Sequence, residues 1–135
     1  MKYISFDQVV EAHDLIISEY GGLPGVRDKN ALDSAVKMPT MSVFGNELYE
    51  TVFDKAAAYL YFLSRNHPFL DGYKRTAFTV TDTFLKTNGI SIQYDVEEIE
   101  EFVIDVAMGK VEIKEISKRL NEISQKSIET EYSPI

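Results

Sequence analysis

Phe6, Val9, Val10, His13, Ile16, Ile17 and Tyr20 recur at the spacing of one helix face, behind a Ser5-x-x-Gln8 capping box. Gly21-Gly22 stops that helix, and Pro24-Gly25 marks a turn. Asp28 is placed to cap a short helix carrying Ala31, Leu32, Ala35 and Val36, which Pro39 terminates. Residues 40–50, with Gly45 and Asn46 inside, keep no period and read as a mobile loop or a small hairpin. From Thr51 to Arg65 the helical pattern returns, and Ala56, Ala57, Tyr59, Leu60 and Leu63 make it apolar nearly all round, the mark of a central helix. A break around Pro68 precedes a helix from Gly72 to Thr87, closed by Asn88-Gly89. Ile90-Ser91-Ile92 is an extended link. Asp95-x-x-Glu98 opens a further helix that ends at Gly109, and Ile113, Ile116, Leu120 and Ile123 mark one over residues 111–124. The pattern predicts an all-α chain of about six helices. Residues 1–126 form one domain in this reading, and 127–135 a flexible C-terminal tail.

Composition narrows the classes. The 135 residues suit one domain, and 44% hydrophobic with 27% charged side chains exclude a disordered chain. The absence of cysteine excludes disulfides, thiolate zinc sites and cysteine nucleophiles, and it fits a reducing compartment. The formal charge is −8, spread as −2 over residues 1–94 and −6 over residues 95–135. An acidic chain is unsuited to non-specific binding of nucleic-acid phosphates. The longest apolar run, Ala56 to Leu63, falls short of the roughly 20 residues that span a bilayer, and residues 1–5 hold no secretory signal. The expected location is the cytoplasm, with no membrane and no direct nucleic-acid partner.

One segment carries chemistry. His67-Pro68-Phe69-Leu70-Asp71-Gly72-Tyr73-Lys74-Arg75 sits between two strongly helical stretches. Free N–H groups at a helix N-terminus attract anions, and Gly72 lets one approach the backbone closely. Lys74 and Arg75 add charge in the first turn, and Asp71 is placed to hold Mg²⁺ beside phosphate oxygens. His67, on the loop leading in, is placed to take a proton from an attacking hydroxyl. The set describes phosphoryl or nucleotidyl transfer. Each member also has an ordinary reading: Asp71 as an N-cap, the cations as solvated charges, and His67 as a loop histidine bonded to backbone. The residues alone leave the two readings level. His13 differs, because it falls on the apolar stripe of the first helix and reads as a buried, hydrogen-bonded structural residue.

The nine residues resemble the signature loop of the Fic/Doc family, in which His-x-Phe-x-Asp/Glu-Gly/Ala-Asn precedes Gly-Arg or Lys-Arg. Gly21-Gly22-x-Pro24-Gly25-x-Arg27-Asp28, Leu32-x-Ser34-Ala35, Pro39, Lys55-Ala56-Ala57-x-Tyr59, Arg75-Thr76-Ala77 and Phe84-Leu85-x-x-Asn88-Gly89 resemble its death-on-curing (Doc) branch. The likeness extends over residues 3–93 and implies a compact helical domain with a short flap loop at 40–50 that positions a target segment. AMP-transferring members usually carry glycine where Lys74 stands and a second arginine where Phe78 stands. Doc-type kinases resemble this chain at both positions. The resemblance thus implies that Gly72, Tyr73, Lys74 and Arg75 line an ATP site, with the two cations gripping phosphates and Asp71 holding Mg²⁺. His67 would deprotonate a hydroxyl of elongation factor Tu, stalling translation as the toxin of a toxin–antitoxin pair. The self-inhibiting Ser/Thr-x-x-x-Glu-Gly/Asn segment is missing, which implies a separate antitoxin whose extended segment folds into a groove.

Tyr73 departs from the family pattern, standing where the motif has asparagine. A phenol lacks the amide's paired donor and acceptor, and its ring needs room at the helix start. The expectation is reduced or lost activity. Alternatives to the kinase are an AMP-transferring enzyme and a binding module that keeps the fold without catalysis.

Overall fold

Ser5 caps α1 (Phe6–Tyr20) with a complete capping box: its hydroxyl accepts from the Gln8 N–H at 3.2 Å, and the Gln8 side chain accepts from the Ser5 N–H at 2.8 Å. The computed structural model describes the backbone of residues 1–132 and the side chains of residues 1–125. Asp28 caps α2 (Lys29–Lys37), and Pro39 lies in a short 3-10 turn, Met38–Thr40, that ends it. The aperiodic stretch that follows is a hairpin rather than an irregular loop. Its strands β1 (Ser42–Val43) and β2 (Asn46–Glu47) are antiparallel, with Ser42 opposite Glu47 and Val43 opposite Asn46. Thr51 caps α3 (Val52–Arg65); after the break come α4 (Tyr73–Thr87), α5 (Val96–Ala107) capped by Asp95, and α6 (Ile113–Tyr132). The backbone of α6 continues past Ser124, where the apolar pattern ends. Of the tail expected at 127–135, the side chains and residues 133–135 lie outside the described residues.

The fold is all-α, with α3 in the middle. Its Ala56, Ala57 and Ala58 are fully buried, and these small side chains let α2, α4, α5 and α6 pack close around one helix. Tyr59, Leu60 and Leu63 extend that contact, each side chain contributing about 1.5–3 kcal/mol by leaving water. Phe84 and Leu85 of α4, Val103 and Val106 of α5, and Ile116 and Leu120 of α6 complete one continuous core. Among the described residues no helix is long and apolar enough to cross a membrane.

Two polar clamps bring the N-terminal strand-like segment onto this core. Asn88, at the C-cap of α4, accepts from the Lys2 N–H at 3.0 Å and donates to the Lys2 carbonyl at 2.9 Å. The buried Tyr59 hydroxyl accepts from the Ile4 N–H at 2.9 Å and donates to the Ile4 carbonyl at 3.2 Å. Burial pushes the Tyr59 phenol up to about 12 from its ordinary value of 10.0. The folded chain therefore holds this proton more tightly than the unfolded chain. That contribution is complete below pH 10.0 and is lost as pH rises toward about 12. Tyr59→Phe is expected to cost about 1–3 kcal/mol at neutral pH, by stranding both Ile4 groups, and to flatten the alkaline decline. Urea unfolding at neutral and alkaline pH checks both.

Candidate active site

Residues 66–72 link α3 to α4 and are gripped by the segment that joins α1 to α2. The Pro68 carbonyl accepts from the Arg27 N–H at 2.8 Å and the Asp28 N–H at 3.2 Å, and Val26 bridges to Phe69 as a single antiparallel pair. The Arg27 guanidinium donates to the carbonyls of His67 at 2.7 Å and Asn66 at 3.4 Å. Arg27 thereby caps the C-terminal end of α3, where a cation offsets the helix dipole. From inside, Phe69 is buried and stacks on His13, with ring centroids 3.8 Å apart. His13 Nε2 lies 2.7 Å from the Asp71 carbonyl. A carbonyl only accepts, so Nε2 carries the proton and donates. His13 is thus the buried structural histidine its position on α1 suggests, and its task is to hold the loop.

These grips place His67 in a left-handed backbone conformation, φ +50°, which side-chain-bearing residues adopt rarely and at some cost. Its ring is exposed to solvent. Asp71 does not cap α4. The Asp71 carboxylate turns back instead and accepts from the Leu23 N–H at 2.7 Å. Gly22 is needed for that approach: with φ +114°, it lies where a Cβ would come within 2.9 Å of the Asp71 Cβ. The N-cap of α4 is Gly72 at φ 72°, and no side chain caps the helix. The first-turn N–H groups therefore have no side-chain acceptor, the arrangement that favours an anion at a helix start.

Lys74 and Arg75 stand beside those N–H groups. Among the described residues neither pairs with a carboxylate. Each rests on an aromatic face, Lys74 Nζ at 4.6 Å from the Tyr73 ring centre and the Arg75 guanidinium carbon at 4.0 Å from that of Tyr20. Tyr73 is half-buried, and its ring lies 4.2 Å from the His67 ring, centre to centre, tilted by 49°. The Tyr73 ring thus lies close to both the His67 ring and the Lys74 ammonium.

Both cations also line one end of a groove of about 400 Å³ between α1, α4 and α5. Ile16, Phe78, Tyr94, Val96 and Ile104 make most of its surface apolar, with Tyr94 edge-on to Phe78 at 5.0 Å. Burial pushes the Tyr94 phenol above its ordinary range, and the nearby Asp82 carboxylate adds to the shift.

Comparison with known proteins identifies this arrangement of elements. The Fic/DOC family model matches residues 3–85. The chain belongs to the Fic/Doc family. Toxin Doc of Mycolicibacterium smegmatis is 36% identical over 121 residues, which cover 88% of this chain and 91% of that protein. Protein kinase doc of Escherichia phage P1 is 30% identical over 123 residues, covering 91% and 96% respectively.

The Fic/Doc loop brings His67, Asp71, Gly72, Tyr73, Lys74 and Arg75 around one helix start, as the motif spacing requires. Three further participants are legible only in three dimensions: Arg27 on the His67 carbonyl, His13 on the Asp71 carbonyl, and the Leu23 N–H on the Asp71 carboxylate. Periodicity marks His13 as buried but says nothing of its partner. Arg27 and Leu23 lie in a segment whose Gly and Pro content signals only a turn. Asp71 keeps one carboxylate oxygen free of Leu23, and among the described residues no cluster of three acidic or histidine side chains forms a metal cage. That donor set suits Mg²⁺ carried on phosphate, held by one protein carboxylate and the nucleotide's own oxygens.

Proposed function

We propose that this Fic/Doc protein is a Doc-type toxin that transfers the γ-phosphate of Mg-ATP to a hydroxyl of a protein target, elongation factor Tu, and so arrests translation. The observation that carries the reading is the start of α4: a helix with no side-chain cap, opened by Gly72, with two cations that pair with no carboxylate among the described residues and the His67 ring 4.2 Å from that of Tyr73. The similarity to Protein kinase doc favours phosphate over AMP, as do Lys74 and Phe78. In this mechanism the first-turn N–H groups, Lys74 and Arg75 hold the phosphates and offset the charge that moves onto ADP as it leaves. His67 takes the proton of the target hydroxyl as its oxygen bonds to the γ-phosphorus, giving a phosphate ester and ADP. Asp71 holds Mg²⁺, which supplies further neutralisation of phosphate charge.

The groove between α1, α4 and α5 fits an antitoxin segment that folds as it docks. Its apolar walls offer burial, and Lys74 and Arg75 outweigh Glu100 in its lining and attract acidic side chains, so an occupant lies against the proposed phosphate-holding cations as well.

A second reading rests on Tyr73, whose ring lies against both the His67 ring and the Lys74 ammonium. In that reading the chain is an intact scaffold impaired at one side chain. The deciding measurement is the intact mass of elongation factor Tu after incubation with Mg-ATP and either this protein or its Tyr73→Asn variant. Tyr73→Asn is expected to raise the rate of phosphate addition about tenfold or more, the effect of restoring one hydrogen bond to bound phosphate. A phosphate-sized gain with both proteins at equal rate shows that Tyr73 is tolerated. A nucleotide-sized gain moves the assignment to AMP transfer, and no gain with either favours a binding module.

A further inference from the structure

Lys55 is a buried cation that the chemistry described above does not use. It stands on the second turn of α3, and its side chain is 1% exposed. Removing an ammonium group from water is costly unless it is fully partnered, and Ala58 and Tyr59, one turn further along the same side of α3, are fully buried apolar side chains. Its partners all lie on one segment. Lys55 Nζ donates to the Tyr49 carbonyl and to the Glu50 carbonyl at 3.4 Å, and it pairs with the Glu47 carboxylate at 3.3 Å. Every hold runs to the chain returning from the β1–β2 hairpin.

Within itself the hairpin has little to fix it. It consists of two residue pairs, extended by one bond from the Leu48 N–H to the Met41 carbonyl at 2.9 Å. Two strands of this length are not stable in water by themselves. Residues 40–48 are all exposed, and the apolar contact at the base of the hairpin is Tyr49, whose partly buried ring lies edge-on to Phe62 of α3 at 6.4 Å. The tip runs through Phe44 and Gly45 at φ 51° and 81°, the paired positive values of a tight primed turn. Phe44, 99% exposed, thus takes a conformation that costs a phenylalanine energy while presenting its ring to solvent. A shape of that kind persists only if its base is held.

We propose that Lys55 is the positioning residue of this hairpin: through Glu47 and the Tyr49 and Glu50 carbonyls it fixes the hairpin to α3 and, with the hairpin acting as the flap that the family resemblance implies, sets how a protein target is presented. The part concerning the target rests on the function proposed above. The tether itself does not.

The test uses the full chain with Lys55→Met, which removes the ammonium and keeps the stem, and Lys55→Arg, which keeps the charge. Hydrogen exchange over residues 41–50 is expected to accelerate about tenfold in Lys55→Met, the loss of one charge-assisted bond, and to return toward the native rate in Lys55→Arg. Exchange over 56–63, in the middle of α3, stays unchanged. With elongation factor Tu and Mg-ATP, Lys55→Met is expected to raise KM for the protein about tenfold and leave KM for ATP and kcat within about twofold. The kinetics use the Tyr73→Asn background if the native chain is silent. Unchanged hairpin exchange in Lys55→Met overturns the proposal. So does a fall in kcat with KM for the protein unmoved, which marks Lys55 as part of the general scaffold. Should Lys55→Met fail to fold, Glu47→Gln, altering a carboxylate that is 54% exposed, takes its place: faster hairpin exchange supports the tether, and unchanged exchange overturns it. Absence of transfer by every variant counts against the proposed function, while hydrogen exchange still decides the tether.

Discussion

On the proposed function, His67→Ala is expected to lower phosphate transfer to elongation factor Tu by about 10²–10⁴-fold, the range lost when a positioned general base is removed. Among the described residues His67 is the one exposed imidazole at the start of α4, and the Asp71 oxygen left free by Leu23 is assigned to Mg²⁺ in the proposed function. Asp71 turns its carboxylate to Leu23, and Lys74 and Arg75 are cations resting on aromatic rings. The loop itself survives the substitution, because Arg27 holds residue 67 by its backbone carbonyl and Phe69 anchors the next turn of chain. Nucleotide binding is therefore expected to stay within about twofold of the parent, since the groups proposed to hold phosphate lie downstream of residue 67. Initial rates by intact mass, beside equilibrium binding of ATP, separate the two quantities. A parallel loss of ATP affinity would place His67 among the binding groups instead.

The largest stability effect is expected at Phe69. Phe69→Ala removes a ring that is 1% exposed and stacked on His13 at 3.8 Å, and such truncations cost about 3–5 kcal/mol. For a chain of this size each kcal/mol lowers Tm by about 2–8 °C, so a fall of roughly 10 °C or more is expected. The damage is also local. Without the ring, His13 loses the surface that orients it toward the Asp71 carbonyl, and the Val26 bridge loses its partner's anchor. Activity should therefore fall further than the folded fraction, while Phe69→Leu, which keeps apolar volume in the same hole, retains more of both. Thermal denaturation and transfer rates on the same samples compare the two losses.

How much of this is legible in the sequence follows from the range of the forces involved. Capping is local, so Ser5, Asp28, Thr51 and Asp95 mark helix starts within a residue or two of where they occur. The apolar all-round stretch at 51–65 likewise marks the central helix. The hairpin at 42–47 gives no firm signal, because strands two residues long, exposed on both faces, leave no alternation to detect. At the site, the motif spacing gathers the chemical side chains, but their second partners lie 40 to 58 residues away and carry no local signal. Asp71 shows the difference. A carboxylate before a helix reads as a cap, and only the close approach of Gly22 reveals that it faces another loop. Lys55 is similar, since one lysine in an apolar helix looks like its solvent face until its burial is measured.

The grip of residues 21–28 on residues 66–71 has a consequence for the order in which the molecule acquires its shape. Helices pair with near neighbours quickly, and α3 with α4 is such a pairing. The loop between them gains its form only once α1 and the turn after it have closed back over it, across 40 to 58 intervening positions. Chain-closure entropy puts that event late. A nascent chain that has made only its central helix pair would have a helical nucleus while His67 and Asp71 were still unplaced, so assembly of the cleft coincides with completion of the fold.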